Sequence, residues 1–205
     1  MKILSNIKID SVDSLENYND LEKKDLRNIF YGMSRLYESV ARLHYAYNGI
    51  KTSENNFPYI PTNFIDLQTI ICFLKLNKIN SKSFLDIGCG NGLVINVFSC
   101  FFSFMDTSNN KIHGIDLNPS ITNKKIKKID AFKYKNYNQH DVIYLYNPIN
   151  KSIIMYDLLK LIIDKIAKDT IIIFNNTGLT KIQLTELNFK PLKENHDRIV
   201  FYKKY

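Results

Sequence analysis

The chain has 205 residues, 45% of them apolar, and carries 28 Lys and Arg against 20 Asp and Glu, for a net charge of +8. That length and apolar share exclude a disordered chain and suit one globular domain that buries a proper core, with room for a short extension. The most apolar stretch, 93–105, is interrupted by Asn96 and Ser99 and falls short of a membrane span, so no membrane association is expected. The opening Met1-Lys2-Ile3-Leu4-Ser5-Asn6 has no apolar signal-peptide core, and the three cysteines, Cys72, Cys89 and Cys100, lack metal-ligand spacing. Both features fit a cytoplasmic protein with buried thiols and no metal.

Residues 1–18 alternate weakly. From Asn19 a long helix is expected: Asn19 and Glu22 form a capping box, and Leu26, Ile29, Met33, Leu36, Val40 and Leu43 lie on one apolar stripe that continues through His44 and Tyr47. Gly49 is a natural stop. Residues 1–55 therefore read as an N-terminal helical extension and 56–205 as the main domain. His44 and Tyr47 are either ordinary packing or part of a lid. Two prolines among aromatics, Phe57-Pro58-Tyr59-Ile60-Pro61-Thr62, make a stiff connector, and a helix over 63–76 follows with Ile65, Ile70, Ile71, Phe73 and Leu74 as its apolar set.

The stretch 83–94 organises the rest. An apolar run at 84–87 suits a buried parallel strand; Gly88, Gly90 and Gly92 follow at alternate positions, and 93–104 is long enough for a helix. Glycines between a strand and a helix N-terminus let backbone N–H groups approach a ligand closely. The spacing is G-x-G-x-G, not the G-x-G-x-x-G of dinucleotide loops, and Asp86 stands two residues before the first glycine. A carboxylate there repels a pyrophosphate but suits an ammonium or sulfonium charge. At 112–115 a short apolar strand ends in Asp116, an acid placed to accept hydrogen bonds from a ribose diol or to cap the next element.

A lysine-laden strand around 126–129 leads to Asp130, with only thirteen residues between it and Asp116, so any helix between must be a stub. Lys124, Lys125, Lys127, Lys128, Lys133 and Lys135 make this a basic face, open to nucleic acid or an acidic protein or simply solvated. A buried strand over 140–146 ends in Asn147-Pro148. An amphipathic helix over 152–168, a strand over 170–174 and a terminal pair at 189–192 and 199–202 complete the chain.

The octet Leu-Asp-Ile-Gly-Cys-Gly-Asn-Gly at 85–92 resembles motif I of the class I S-adenosylmethionine-dependent methyltransferases, and Gly114-Ile115-Asp116-Leu117-Asn118-Pro119 resembles their motif II. The likeness covers about 56–205 and points to small members acting on protein lysine or on unassigned substrates. It implies an α/β, Rossmann-like, three-layer fold on a seven-stranded sheet closed by a C-terminal antiparallel hairpin, with S-adenosyl-L-methionine as cofactor. Asp86, Gly88, Cys89 and Gly90 would cradle it, Asp116 would bind its ribose, and Leu117 and Asn118 would flank the adenine. Asp130 and Ala131, in a motif III-like position, would face the adenine amino group.

Asn147 and Pro148 match half of an N-P-P-Y motif IV, in which the Asn contacts the cofactor rim and orients a target amine; Ile149 and Asn150 replace the second proline and the aromatic. Tyr59 and Thr62 match a Y-x-P-T element over the methionine end, and Tyr59, His44 and His140 are candidate proton acceptors. The implied activity is methyl transfer, with a nitrogen acceptor on a protein side chain ahead of a nucleic-acid base or a small molecule. A cofactor-binding regulatory or scaffold subunit without transfer activity is the rival of a different class, and a nicotinamide oxidoreductase fits the glycine spacing poorly.

Overall fold

The computed structural model describes residues 28, 31, 62–77, 79, 82–104, 111–119, 122–175, 179, 181–187, 190–195 and 199–203. Of the expected N-terminal helix only Asn28 and Tyr31 are among them, both helical and exposed; His44, Tyr47 and Tyr59 lie outside the described residues.

Helix α1 (Phe64–Leu76) starts where the Asn63 side chain accepts the Asp66 N–H at 2.7 Å, and Asp66 puts an acid in its first turn. Strand β1 (Ser83–Ile87) follows, buried along its whole length, and then helix α2 (Leu93–Phe104) and strand β2 (Lys111–Asp116). After β2 come a three-residue strand β3 (Ile126–Lys128) and two 3-10 turns, Ala131–Lys133 and Tyr137–Gln139. Strand β4 (Val142–Tyr146), helix α3 (Ser152–Lys165), strand β5 (Ile171–Asn175), helix α4 (Lys181–Glu186), and strands β6 (Lys190–Asn195) and β7 (Ile199–Lys203) complete the order.

The seven strands form one sheet in the order β3-β2-β1-β4-β5-β7-β6. Strands β1 to β5 pair in parallel, whereas β7 runs antiparallel to both β5 and β6. Strand periodicity divides the core in two. Phe84, Ile112, Val142 and Ile173 pack with Leu67 and Ile70 of α1 and Phe98 of α2 on one face. Leu85, Ile143, Leu145 and Ile172 pack with Leu158 and Ile162 of α3 and Leu184 of α4 on the other. The result is three layers, helices over both faces of a mostly parallel sheet.

Four sequence expectations change. Ile65, assigned to the apolar set of α1, is 61% exposed, while Leu67 takes the buried place on the same turn as Ile70 and Ile71. Helix α3 stops at Lys165 rather than 168, because Ile166 turns extended and Asp169 adopts a left-handed φ of 69°. Helix α4 was not expected at all; six residues span too little of a helical period to register. The connection from β2 to β3 holds no helical stub among its described residues, 117–119 and 122–125.

Candidate active site

In an open α/β sheet, ligands bind outside the carboxyl ends of the strands, at the point where strand order reverses. Here β1 leads outward to β2 and β3, and the chain then returns to place β4 on the other side of β1. The reversal therefore lies between β1 and β4. The segments leaving those two strands are the glycine turn and Asn147-Pro148.

All three glycines of the turn have positive φ, 79° at Gly88, 53° at Gly90 and 79° at Gly92. These are values that side chains with a Cβ adopt at a cost. A Cβ on Gly88 would stand 2.7 Å from the Pro148 Cβ, and one on Gly92 would run into the side chain of Ile126. The turn is thus held between the end of β4 and the neighbouring strands, with backbone where a side chain would fill the space. The N–H groups of Gly88 and Cys89 both donate to the Ile115 carbonyl, and the Asn91 side chain accepts the Leu93 N–H at the start of α2.

Asp116, at the end of β2, ties this turn to its own strand. Its Oδ2 accepts the Gly90 N–H at 2.9 Å and its Oδ1 accepts the Asn118 N–H at 2.7 Å. A carboxylate has about four lone-pair sites, so two remain for hydroxyl donors. Leu117 and Phe132 stand exposed just after β2 and β3, 42% and 39%, apolar surface at the same end of the sheet.

Asp86 differs. It is buried within β1. Burial first, and then the negative charge of Asp116, push its carboxyl well above the usual carboxylate range. A positive charge brought nearby would oppose both effects. Two acids therefore flank the glycine turn, one buried in β1 and one bound into the turn, and the arrangement suits a cationic nucleoside while opposing a pyrophosphate. Cys89, inside the turn, is buried, and burial raises its thiol pKa ahead of the charges of Asp86 and Asp116. A Cβ at Gly114 would stand 2.7 Å from both Cys89 Cβ and Sγ, so β2 needs glycine there to seat Cys89. Cys72 is also buried, its thiol pushed up to about 12.

The other expected site residues fall as follows. Asn147 is half-buried with a left-handed φ of 38°, a conformation Asn tolerates better than most residues. Pro148 packs against Gly88. Asp130 caps the first 3-10 turn, its Oδ1 accepting the Phe132 N–H at 3.0 Å, and Ala131 begins that turn. Thr62 is buried, its hydroxyl 2.8 Å from that of Tyr144. His140 does not join the glycine turn: it precedes β4, at the end of the strand remote from Asn147.

Sequence reading missed a buried polar group on the α1 face of the sheet. The Asn175 amide donates to the Asp66 carboxylate at 2.8 Å and to the Tyr144 hydroxyl at 3.3 Å, while its own Oδ1 has no partner. These bonds fasten the N-terminal turn of α1 to the middle of β4 and the end of β5. Their partners lie as far as 109 positions apart in sequence, so no local pattern reveals them. Among the described residues no three His, Cys, Asp or Glu side chains gather to hold a metal, and no helix is long and apolar enough to cross a membrane.

No protein-family model and no curated relative matches the chain. Solved structures similar to it include human N-acetylserotonin methyltransferase in complex with SAM, at 12% identity over 67% of this chain with a TM-score of 0.44. The chain spans only 55% of that protein. The N-methyltransferase NodS from Bradyrhizobium japonicum WM9 is similar at 13% identity over 66% of this chain and 93% of its own, TM-score 0.45. Magnesium protoporphyrin IX methyltransferase (ChlM) from Synechocystis PCC 6803 with bound SAM is similar at 9% over 72% and 87%, TM-score 0.46. At such identities and scores the functional reading rests on the geometry of the site itself.

Proposed function

We propose that the chain is an S-adenosylmethionine-dependent methyltransferase acting on a nitrogen acceptor, a protein side chain ahead of a base or a small molecule. The observation that carries this reading is the pair of acids about the glycine turn: Asp86 buried within β1, and Asp116 bonded to the Gly90 N–H with lone pairs to spare. S-adenosylmethionine supplies, when bound, an activated methyl on a sulfonium. Asp116 holds the ribose diol through charge-assisted hydrogen bonds. Leu117 and the 3-10 turn after Asp130 bound the adenine, and Asp86 offsets the positive charge carried by the ligand. Asn147 and Pro148, at the rim of the reversal point, orient the acceptor.

Displacement at a methyl carbon by a neutral amine needs no obligatory general base. Holding the two reactants in line is enough to contribute roughly 7–11 kcal/mol. His140, ahead of β4 at the end remote from Asn147, takes no part.

The test is transfer of radiolabelled methyl from S-adenosylmethionine into cell-lysate fractions treated separately with protease and nuclease. Label lost on protease treatment and kept on nuclease treatment is the expected result. Label kept through protease and lost to nuclease moves the acceptor to a nucleic-acid base. No label in any fraction, with cofactor binding intact, makes the chain a cofactor-binding subunit and overturns the reading.

A further inference from the structure

Between β3 and β4 a parallel crossover is normally helical. Here residues 129–141 carry only the two 3-10 turns, which cover the α3 face of the sheet thinly at its β2–β3 edge. A cavity of about 70 Å³ lies beneath them, lined among others by Lys111 and His113 of β2, Lys127 of β3, and Tyr134, Asn136 and His140 of the crossover. Lys111 opens β2 and His140 precedes β4, so the cavity reaches toward the ends of those strands remote from the glycine turn.

The lining is one-sided in charge. It contains two lysines, two histidines and neutral polar groups, and no acid. The rings of His113 and His140 stand 6.1 Å apart, edge to face. The Tyr134 hydroxyl lies 2.8 Å from His140 Nε2, whereas Nδ1 is buried and has no partner. His140 as a whole is 4% exposed. Burial, with His113 and Lys111 adding to it, depresses its pKa to about 4, so it is neutral near pH 7. Where Tyr134 donates to Nε2, the ring proton is on Nδ1, a donor with no acceptor. His113 is lowered likewise, by burial and then by Lys127, Lys111 and Lys125. That tautomer leaves a buried donor unsatisfied beside the exposed ammonium groups of Lys111 and Lys127, and an oxyanion satisfies the one and pairs with the others. One water needs about 10–15 Å³ of such space. The cavity therefore has room for a tetrahedral oxyanion.

We propose that this cavity is a phosphate-binding site, formed by Lys111, Lys127, His113 and His140 under a crossover that carries no α-helix. Free phosphate and the end of a phosphomonoester present the same chemistry to it. The test labels the histidines of the full chain with 15N and titrates inorganic phosphate, and separately glycerol 3-phosphate, at pH 7.5 and constant ionic strength set with chloride. Saturable shifts of the His113 and His140 ring nitrogens are expected. In a Lys111→Ala/Lys127→Ala double variant, both substitutions being at exposed positions, the midpoint should rise at least about tenfold. Lys128→Ala, on the same strand but outside the cavity, should leave it unchanged. A lower midpoint for glycerol 3-phosphate assigns the site to a monoester, and an equal or higher one to free phosphate. Shifts that stay linear, or that are the same in the double variant, overturn the proposal and leave the cavity to water.

Discussion

Replacing Asp116 by Asn exchanges one carboxylate oxygen for an amide nitrogen at nearly unchanged size. In the folded chain Oδ2 accepts from Gly90 and Oδ1 from Asn118, so the amide keeps one of these bonds and turns a donor toward the other N–H. A hydrogen bond to a charged acceptor contributes about 1.5–3 kcal/mol, equivalent to a factor of roughly 10–150 in the equilibrium that closes the turn. Backbone amide exchange followed by NMR reads this directly. Asp116→Asn should lower the protection of one of the two amides, Gly90 or Asn118, by about that factor, and Asp116→Ala should lower both. Affinity for S-adenosylhomocysteine, measured by calorimetry, should fall at least as far, since the acceptor for the ribose diol is altered too. Unchanged exchange at both amides together with unchanged affinity would refute the clamp and its role.

Gly88→Ala must place a side chain at φ 79° and against Pro148, so stability should drop by roughly 1–3 kcal/mol in denaturant melts, and a loss under about 0.5 kcal/mol counts against the packing described. Asp86, whose folded pKa is raised, contributes stability that is fully present below the ordinary carboxylate pKa and is lost as pH climbs toward its folded value. Melting curves of the wild type should therefore fall relative to Asp86→Asn as pH rises from about 4, and parallel curves would contradict a carboxyl held above its ordinary range by burial. Tyr144→Phe keeps the ring but removes the hydroxyl that meets Thr62 and Asn175, a loss of about 1–3 kcal/mol that the urea midpoint reports; a neutral outcome would mean the buried polar group is not what fastens α1 to the sheet.

What the sequence revealed followed the range of each interaction. The runs that became β1, β4 and β5 are buried on both faces, so continuous apolar stretches sufficed to find them. The glycine turn was legible because positive φ at alternate positions demands glycine, and Asp116 because it ends a strand two residues after Gly114. The left-handed backbone of Asn147 and the seat of Pro148 on Gly88 were not legible, since they depend on how β4 meets β1. Ile65 was misplaced because apolar character alone does not say which side of α1 meets the sheet. The Thr62–Tyr144–Asn175–Asp66 group and the His113–His140 cavity are assembled from distant segments by the strand order, and no spacing in the chain foretells either.

The central claim is that the turn at 88–92, with Asp86 and Asp116, holds a cationic nucleoside. Isothermal calorimetry of the full chain with S-adenosylmethionine and, separately, with NAD tests it most directly. Saturable binding of S-adenosylmethionine at one site per chain, with no heat from NAD, is the expected result; heat from NAD and none from S-adenosylmethionine would contradict it.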